Sequence, residues 1–276
     1  MVRKILVLTL SLLCLFVVSG CRGGQTNTPT PTPVSGRITF AGSTTVQPLA
    51  AEIGRAFNAH YPEVTLDIAA GGSTVGINAV HDGTVDIGMA SRALKAEESA
   101  GITVHQIAVD VLAVVVHASN PVEGLSTAQL QDIYLGNITN WQAVGGPDAP
   151  IIVVIREKTS GTRGAFDEIV LNKAEPVAPR IQVAITAGDM AALVASEPAA
   201  IGYVGFGNLD AGIKPLQIDG ISPTEENVHQ GNYRLTRPLL LLTGPLTQPI
   251  AQTYIDFALS PAGQKIVADH GWMPVK

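Results

Sequence analysis

The chain is poor in cysteine, aromatic residues and charge. Its two cysteines are Cys14 and Cys21, and Cys14 sits in an apolar N-terminal run that reads as cleaved, so the mature chain has no pair for an internal disulfide. Aromatic residues make up 5% and charged residues 14% of the 276 positions, against 46% hydrophobic. That balance excludes a disordered chain and allows one large core or two domains. Lys and Arg number 17 against 23 Asp and Glu, a formal charge of -6, and the basic residues form no run. This argues against nucleic acid as a partner. No Cys/His spacing of a zinc site is present, so neither a metal nor a cofactor is expected. Gly-Lys-Ser/Thr and Gly-x-Gly-x-x-Gly are missing, which leaves nucleotide binding weakly supported.

Long hydrophobic runs are also scarce. The single one, Ile5 to Val18, follows Arg3 and Lys4 and is too short to span a bilayer comfortably, so residues 1–20 read as a secretion signal. Val18-Ser19-Gly20-Cys21 closes it and resembles the bacterial lipoprotein signal, which implies lipidation of Cys21 and anchorage outside the cytoplasm. The alternative is ordinary secretion with Cys21 as an unremarkable residue. Removing the two positive charges of this segment leaves 15 against 23, a formal charge of -8. Residues 21–35, rich in Pro and Thr, have nothing to bury and read as an extended tether.

What the chain does have is one pattern used repeatedly. Ile151 to Ile155 is a short β-branched run that reads as a buried strand, and Ala165, Phe166, Ile169 and Val170 fall at helical spacing, so Ser160-Gly161-Thr162 is a strand-to-helix turn. Such a turn presents unpaired N–H groups, hydroxyls and the positive end of a helix dipole, with Arg156 and Arg163 close in sequence. That is chemistry for an oxyanion; the alternative is that Ser160 only caps a helix. The pattern appears twice more: strand 37–42 runs through Ser43-Thr44-Thr45 into a helix carrying Leu49, Ile53, Ala56 and Phe57, and strand 64–69 runs through Gly71-Gly72-Ser73-Thr74 into a helix with Val75, Ile77 and Val80. A fourth polar loop, Ser91-Arg92, ends a short strand.

Further strands are expected over Val111 to His117, Ile181 to Ile185, Ile201 to Val204 and Leu239 to Leu242, with helices over 128–133, 188–196, 250–259 and 262–270. Alternation of this kind implies an α/β fold with mostly parallel sheets, whose ligands sit at the carboxyl ends of strands, where all four loops lie. Two crossings between domains are expected, near Asn120-Pro121 and at Leu239 to Leu242. They divide the chain into lobe 1 (36–117 and 238–276) and lobe 2 (118–237).

The runs Gly42-Ser43-Thr44-Thr45-Val46-Gln47-Pro48-Leu49, Gly71-Gly72-Ser73, Thr84 to Arg92, Ile133-Tyr134-Leu135-Gly136 with Asn140-Trp141, Ser160 to Phe166, Ala200-Ile201-Gly202-Tyr203 and Ser260-Pro261-Ala262-Gly263-Gln264 together resemble the phosphate-binding protein of bacterial phosphate ABC importers, over Gly36 to Lys276. The resemblance implies a two-lobed periplasmic-binding-protein (Venus-flytrap, type II) fold with mostly parallel mixed sheets and two hinge crossings. It also implies a monomeric, lipid-anchored, extracytoplasmic binder of inorganic phosphate, not an enzyme, that serves an ABC-type phosphate permease. Carried over residue by residue, it points to Thr44, Thr45 and Ser73 from the first lobe and Arg156, Ser160, Gly161 and Thr162 from the second, with N–H donors at Thr45 and Gly161.

Well-studied relatives place an aspartate after the Ala-Ser of the fourth loop, where it accepts the proton of hydrogen phosphate, and some shorter relatives carry Ala-Ser-Arg; here Arg92 stands there and cannot accept a hydrogen bond. Arg92 is either a second charged donor to the anion or the partner of a surface acid such as Glu97. Another tetrahedral oxyanion (sulfate, molybdate or tungstate) is the alternative ligand. A serine-dependent phosphoester hydrolase using Ser160 or Ser73 is less favoured, because neither serine sits in a Gly-x-Ser-x-Gly elbow.

Overall fold

A computed structural model describes residues 34–275; the signal segment, Cys21 and nearly all of the tether lie outside the described residues. The first strands and helices are β1 (Gly36–Gly42), α1 (Val46–His60), β2 (Val64–Ala70), α2 (Ser73–His81), β3 (Ile87–Ala90) and β4 (Thr103–His117). A middle group follows: β5 (Gly124–Leu125), α3 (Thr127–Tyr134), β6 (Ile152–Arg156), α4 (Gly161–Ile169), β7 (Ile181–Ala184), α5 (Ala187–Ser196), β8 (Ala200–Gly205), β9 (Ile213–Pro215), β10 (Gln217–Ile218) and α6 (Glu225–His229). The chain then closes with β11 (Thr236–Thr243), α7 (Pro249–Leu259) and α8 (Pro261–Asp269).

One path of hydrogen-bonded strands, β2-β1-β3-β11-β4-β8-β6-β7, runs through the molecule, with β9 added on β4. Its outer members pair in parallel, β1 with β2 and β3, and β6 with β7 and β8. The middle is antiparallel: β11 lies between β3 and β4, and β4 between β11 and β8. Two lobes result because β4 changes partners within its length. Thr103 to Val111 pair with β11, and Leu112 to Val116 pair with β8. The strand therefore begins well before Val111, where the apolar run starts. His105, Gln106 and Asp110 interrupt the hydrophobic pattern there, and the strand's first four residues are exposed or half-buried, so no apolar run marks its start.

β11 likewise begins three residues before the expected Leu239 to Leu242 and contains Pro238. Proline lacks a ladder donor, and a register shift follows at Leu239/Leu240, the kind of bulge that accommodates it. The small parallel sheet of β5 and β10, β9 and the five-residue α6 carry too few apolar residues to stand out in the sequence.

Each lobe has its own core. In the first, α1 buries Leu49, Ile53 and Phe57, as its spacing demands, against β1 and α7. Tyr254 of α7 packs edge-on against Phe40 at 4.9 Å and Phe57 at 5.3 Å between ring centroids. In the second, Phe166 of α4 stacks on Tyr203 of β8 at 4.1 Å and meets Tyr134 at 4.6 Å, with Trp141 buried beside them. That stack sets the height of α4 above the sheet. Tyr203 then accepts a hydrogen bond from the Arg156 N–H at 3.1 Å, so the core directly supports the end of β6.

Phe57 is fully enclosed and ringed by aromatic partners. Phe57→Ala is expected to lower unfolding free energy by about 3–5 kcal/mol, measured by denaturant titration.

Candidate functional site

The carboxyl ends of β1, β2, β3 and β6 converge where the lobes meet, and each gives way to a polar loop. After β1 the helix α1 starts without a cap from its own first residue; Ser43 Oγ instead accepts the N–H groups of Thr45 at 3.2 Å and Val46 at 3.3 Å. The Thr45 N–H, expected as an anion donor, is engaged by Ser43 here. With Ser43 serving the helix start, the Thr45 hydroxyl turns to the seam, 3.2 Å from Thr162 Oγ1 of the other lobe.

After β2, Gly72 adopts φ 89°, a left-handed conformation that glycine permits without strain, and turns the chain so that Ser73 opens α2. Ser73 is fully buried, and its Oγ accepts the Ser91 N–H at 3.0 Å and lies 3.4 Å from Ser91 Oγ. After β6, Ser160 caps α4 by accepting the Arg163 N–H at 3.3 Å, so capping and exposure of an N–H-rich turn occur together. Gly161 and Thr162 are the first residues of α4, whose opening N–H groups have no partner within the helix.

Arg156 ends β6 and is 1% exposed. Its Nε donates to Ala184 O at 3.2 Å, and its Nη2 donates to Ile185 O at 2.8 Å and to Thr44 Oγ1 of the opposite lobe at 3.2 Å. Burial pulls its pKa downward, and the neighbouring Glu157 carboxylate opposes that shift. Thr44 Oγ1 also accepts the Ala187 N–H at 3.2 Å, which brings a fifth loop, between β7 and α5, to the same place.

The structure thus assembles Thr44, Thr45, Ser73, Arg156, Ser160, Gly161 and Thr162 at one seam. The fit is close: a Cβ on Gly161 would lie 2.1 Å from Ser73 Oγ and 2.7 Å from Ser91 Oγ. Two flanking cavities adjoin the seam. One of about 540 Å³ is lined by Thr74, Arg92, Lys158 and Ser160, and one of about 310 Å³ by Thr44, Gly71, Thr159 and Ile185.

Two arginines behave differently from Arg156. Arg163 turns back along its helix to Asp167 and across to Glu175, with Nη1 on Arg156 O at 3.1 Å. Arg92 forms a two-pronged pair with Glu98, Nη1 to Oε2 at 2.7 Å and Nη2 to Oε1 at 2.8 Å, and also reaches Ala93 O and Thr74 Oγ1. Of its two expected uses, the structure shows the pairing with an acid, and that acid is Glu98, not Glu97. The reason is local: Glu98 also accepts the Lys95 N–H at 2.9 Å as a helix cap, which points its carboxylate inward.

Ser91, Asp110 and Arg237 were not singled out as site residues by the sequence. Ser91 lies inside a motif whose neighbour drew the attention. Asp110 and Arg237 did leave a signal, the single acid of β4 and the single formal charge of β11.

The chain matches a PBP superfamily domain over residues 27–262. Among curated proteins it is 34% identical over 248 residues to the phosphate-binding protein PstS of Bacillus subtilis, covering 87% of this chain and 81% of that one. A solved structure from Clostridium perfringens, titled as a phosphate ABC transporter substrate-binding protein with bound phosphate, is 41% identical with a TM-score of 0.85 and covers 87% of this chain and 100% of that one. An ABC-type phosphate transport receptor from Vibrio cholerae is 34% identical with a TM-score of 0.72, over 86% and 99% of the two chains.

The Arg92 fork holds the Glu98 carboxyl below its ordinary value of 4.5, against the opposing effect of burial. A carboxyl depressed in the fold stabilises it fully above that ordinary value, and the contribution disappears as pH falls from 4.5 through the folded value. Melting temperatures are expected to drop across this acid window in the wild type and to drop less in Glu98→Gln.

Proposed function

The chain belongs to the PBP superfamily, and from that premise we propose that it captures inorganic phosphate between its lobes, outside the cytoplasm, for a membrane permease of the ABC class. The observation that carries this reading is the division of the donors. Thr44, Thr45 and Ser73 come from one lobe, and Arg156, Ser160, Gly161 and Thr162 from the other, so an anion reaches the full set when the lobes are closed and favours that state. We take Arg156 as the charged donor, Gly161 as an N–H donor and the four hydroxyls of Thr44, Ser73, Ser160 and Thr162 as the remaining contacts, joined by the Thr45 hydroxyl. We leave Arg92 out of this set, because its guanidinium is paired with Glu98.

The lobes are taken to hinge at β4 and β11, the two strands that pass between them. Anchorage through lipidated Cys21, a tether over 21–35 and a monomeric state complete the reading; they rest on the sequence motif and the family. Sulfate, molybdate or tungstate is the second reading, and the position of Arg92 favours keeping it: no carboxylate from the fourth loop is there to meet the proton of hydrogen phosphate. A hydrolase is disfavoured because, among the described residues, the hydrogen bonds of Ser73 and Ser160 run to backbone N–H groups and Ser91, and none to a histidine.

The test is calorimetric titration of anion-stripped protein with phosphate and then sulfate. Phosphate is expected to bind, and Arg156→Ala to weaken it about tenfold or more, since a charge-assisted contact in a dry seam is lost. Unchanged affinity in that variant would remove Arg156 from the site. Product release from a phosphoester that vanishes in Ser160→Ala would replace transport with catalysis.

A further inference from the structure

Asp110 and Arg237 form an ion pair in the middle of the molecule, 0% and 2% exposed. Arg237 Nε and Nη2 both reach Asp110 Oδ2, at 3.0 Å and 2.8 Å, while Asp110 Oδ1 accepts the Phe206 N–H at 3.0 Å. A buried pair of this kind is a weak source of stability, because desolvating two charges offsets most of their attraction and an apolar pair would do as well. The contacts beyond the pair are more informative. Arg237 Nη2 lies 3.4 Å from Thr45 Oγ1, which lies 3.2 Å from Thr162 Oγ1 across the seam. Arg237 Nη1 is buried with no acceptor among the described residues.

Arginine has no acceptor atom, so toward Thr45 it can only donate. That occupies a lone pair of the Thr45 hydroxyl and leaves its proton to be given away. The pair also sits at the crossings. Asp110 is next to the residue where β4 changes partners, and Arg237 is the second residue of β11. We propose that Arg237 is a positioning residue for anion capture: held by Asp110, it fixes the Thr45 hydroxyl as a donor toward the seam. This rests on the phosphate reading and deepens it. A donor aligned before the ligand arrives needs no reorganisation on binding. The unmatched Nη1 is then the capacity left over in a residue whose other contacts serve the site.

The experiment is a double-mutant cycle on Thr45→Val and Arg237→Lys, read by calorimetric titration with inorganic phosphate and by thermal melting without it. Lysine keeps a cation for Asp110, but its single ammonium cannot serve Asp110 and Thr45 with the geometry of a fork. Each single variant is expected to bind phosphate about tenfold more weakly, and the double variant no more than about threefold more weakly than Thr45→Val, because the two act through one hydroxyl. Melting of Arg237→Lys should stay close to wild type. If it falls sharply, Asp110→Asn with Arg237→Met, which removes both charges together, replaces it in the same cycle. Losses that multiply, or wild-type affinity in the Arg237 variant, would overturn the inference while leaving the phosphate reading intact. A wild-type protein that ignores phosphate would overturn both.

Discussion

The seam between the lobes depends on hydroxyl groups that accept from fixed N–H donors. Thr44 Oγ1 holds the Arg156 guanidinium and the Ala187 N–H, Ser73 Oγ holds the Ser91 N–H, and Ser160 Oγ holds the Arg163 N–H. A hydroxyl in that condition has its proton left to offer. Together with the free N–H groups at the start of α4 and the end of its dipole, the loops make a surface of donors, which suits an oxyanion and suits little else. Helix capping and the proposed anion recognition share one arrangement, since the residue that ends the strand and starts the helix also determines which way its hydroxyl can point.

Close approach of the lobes is a matter of missing side chains. A Cβ on Gly72 would lie 2.6 Å from Thr159 Oγ1, one on Gly161 2.1 Å from Ser73 Oγ, and one on Gly164 2.9 Å from Arg92 Cδ. Three glycines from the two lobes therefore leave room for the opposing lobe at successive points along the seam. Thr74 N–H donates to Thr159 O at 3.1 Å, so backbone as well as side chains bridges it. Arg92 contributes through its stem, which rests against α4, while its charge is neutralised by Glu98.

Much of this was legible in the sequence, and the rest was hidden for identifiable reasons. The strand-turn-helix units around Thr44, Ser73 and Ser160 announced themselves because a β-branched run, a hydroxyl and a helical apolar stripe follow one another within a few residues. That three such turns face one another could be inferred only from fold type, since the contacts span Thr45 to Thr162 and Arg156 to Thr44. The partner of Arg92 was missed by one residue because Glu97 and Glu98 differ only in which way a short helical turn aims them. The first half of β4 escaped because polar residues break its pattern. Asp110 and Arg237 lie far apart in the chain, and nothing local says that β4 and β11 are neighbours, so their charges read as isolated.

In the proposed function, closure is driven by an anion that both lobes must share. Small-angle scattering of anion-stripped protein, recorded as phosphate is added, tests that most directly. The radius of gyration is expected to fall with the same midpoint as calorimetric binding, and to stay high at the same phosphate concentrations in Gly161→Ala, where the added Cβ meets Ser73. Phosphate binding at full strength with no compaction in the wild type would contradict it.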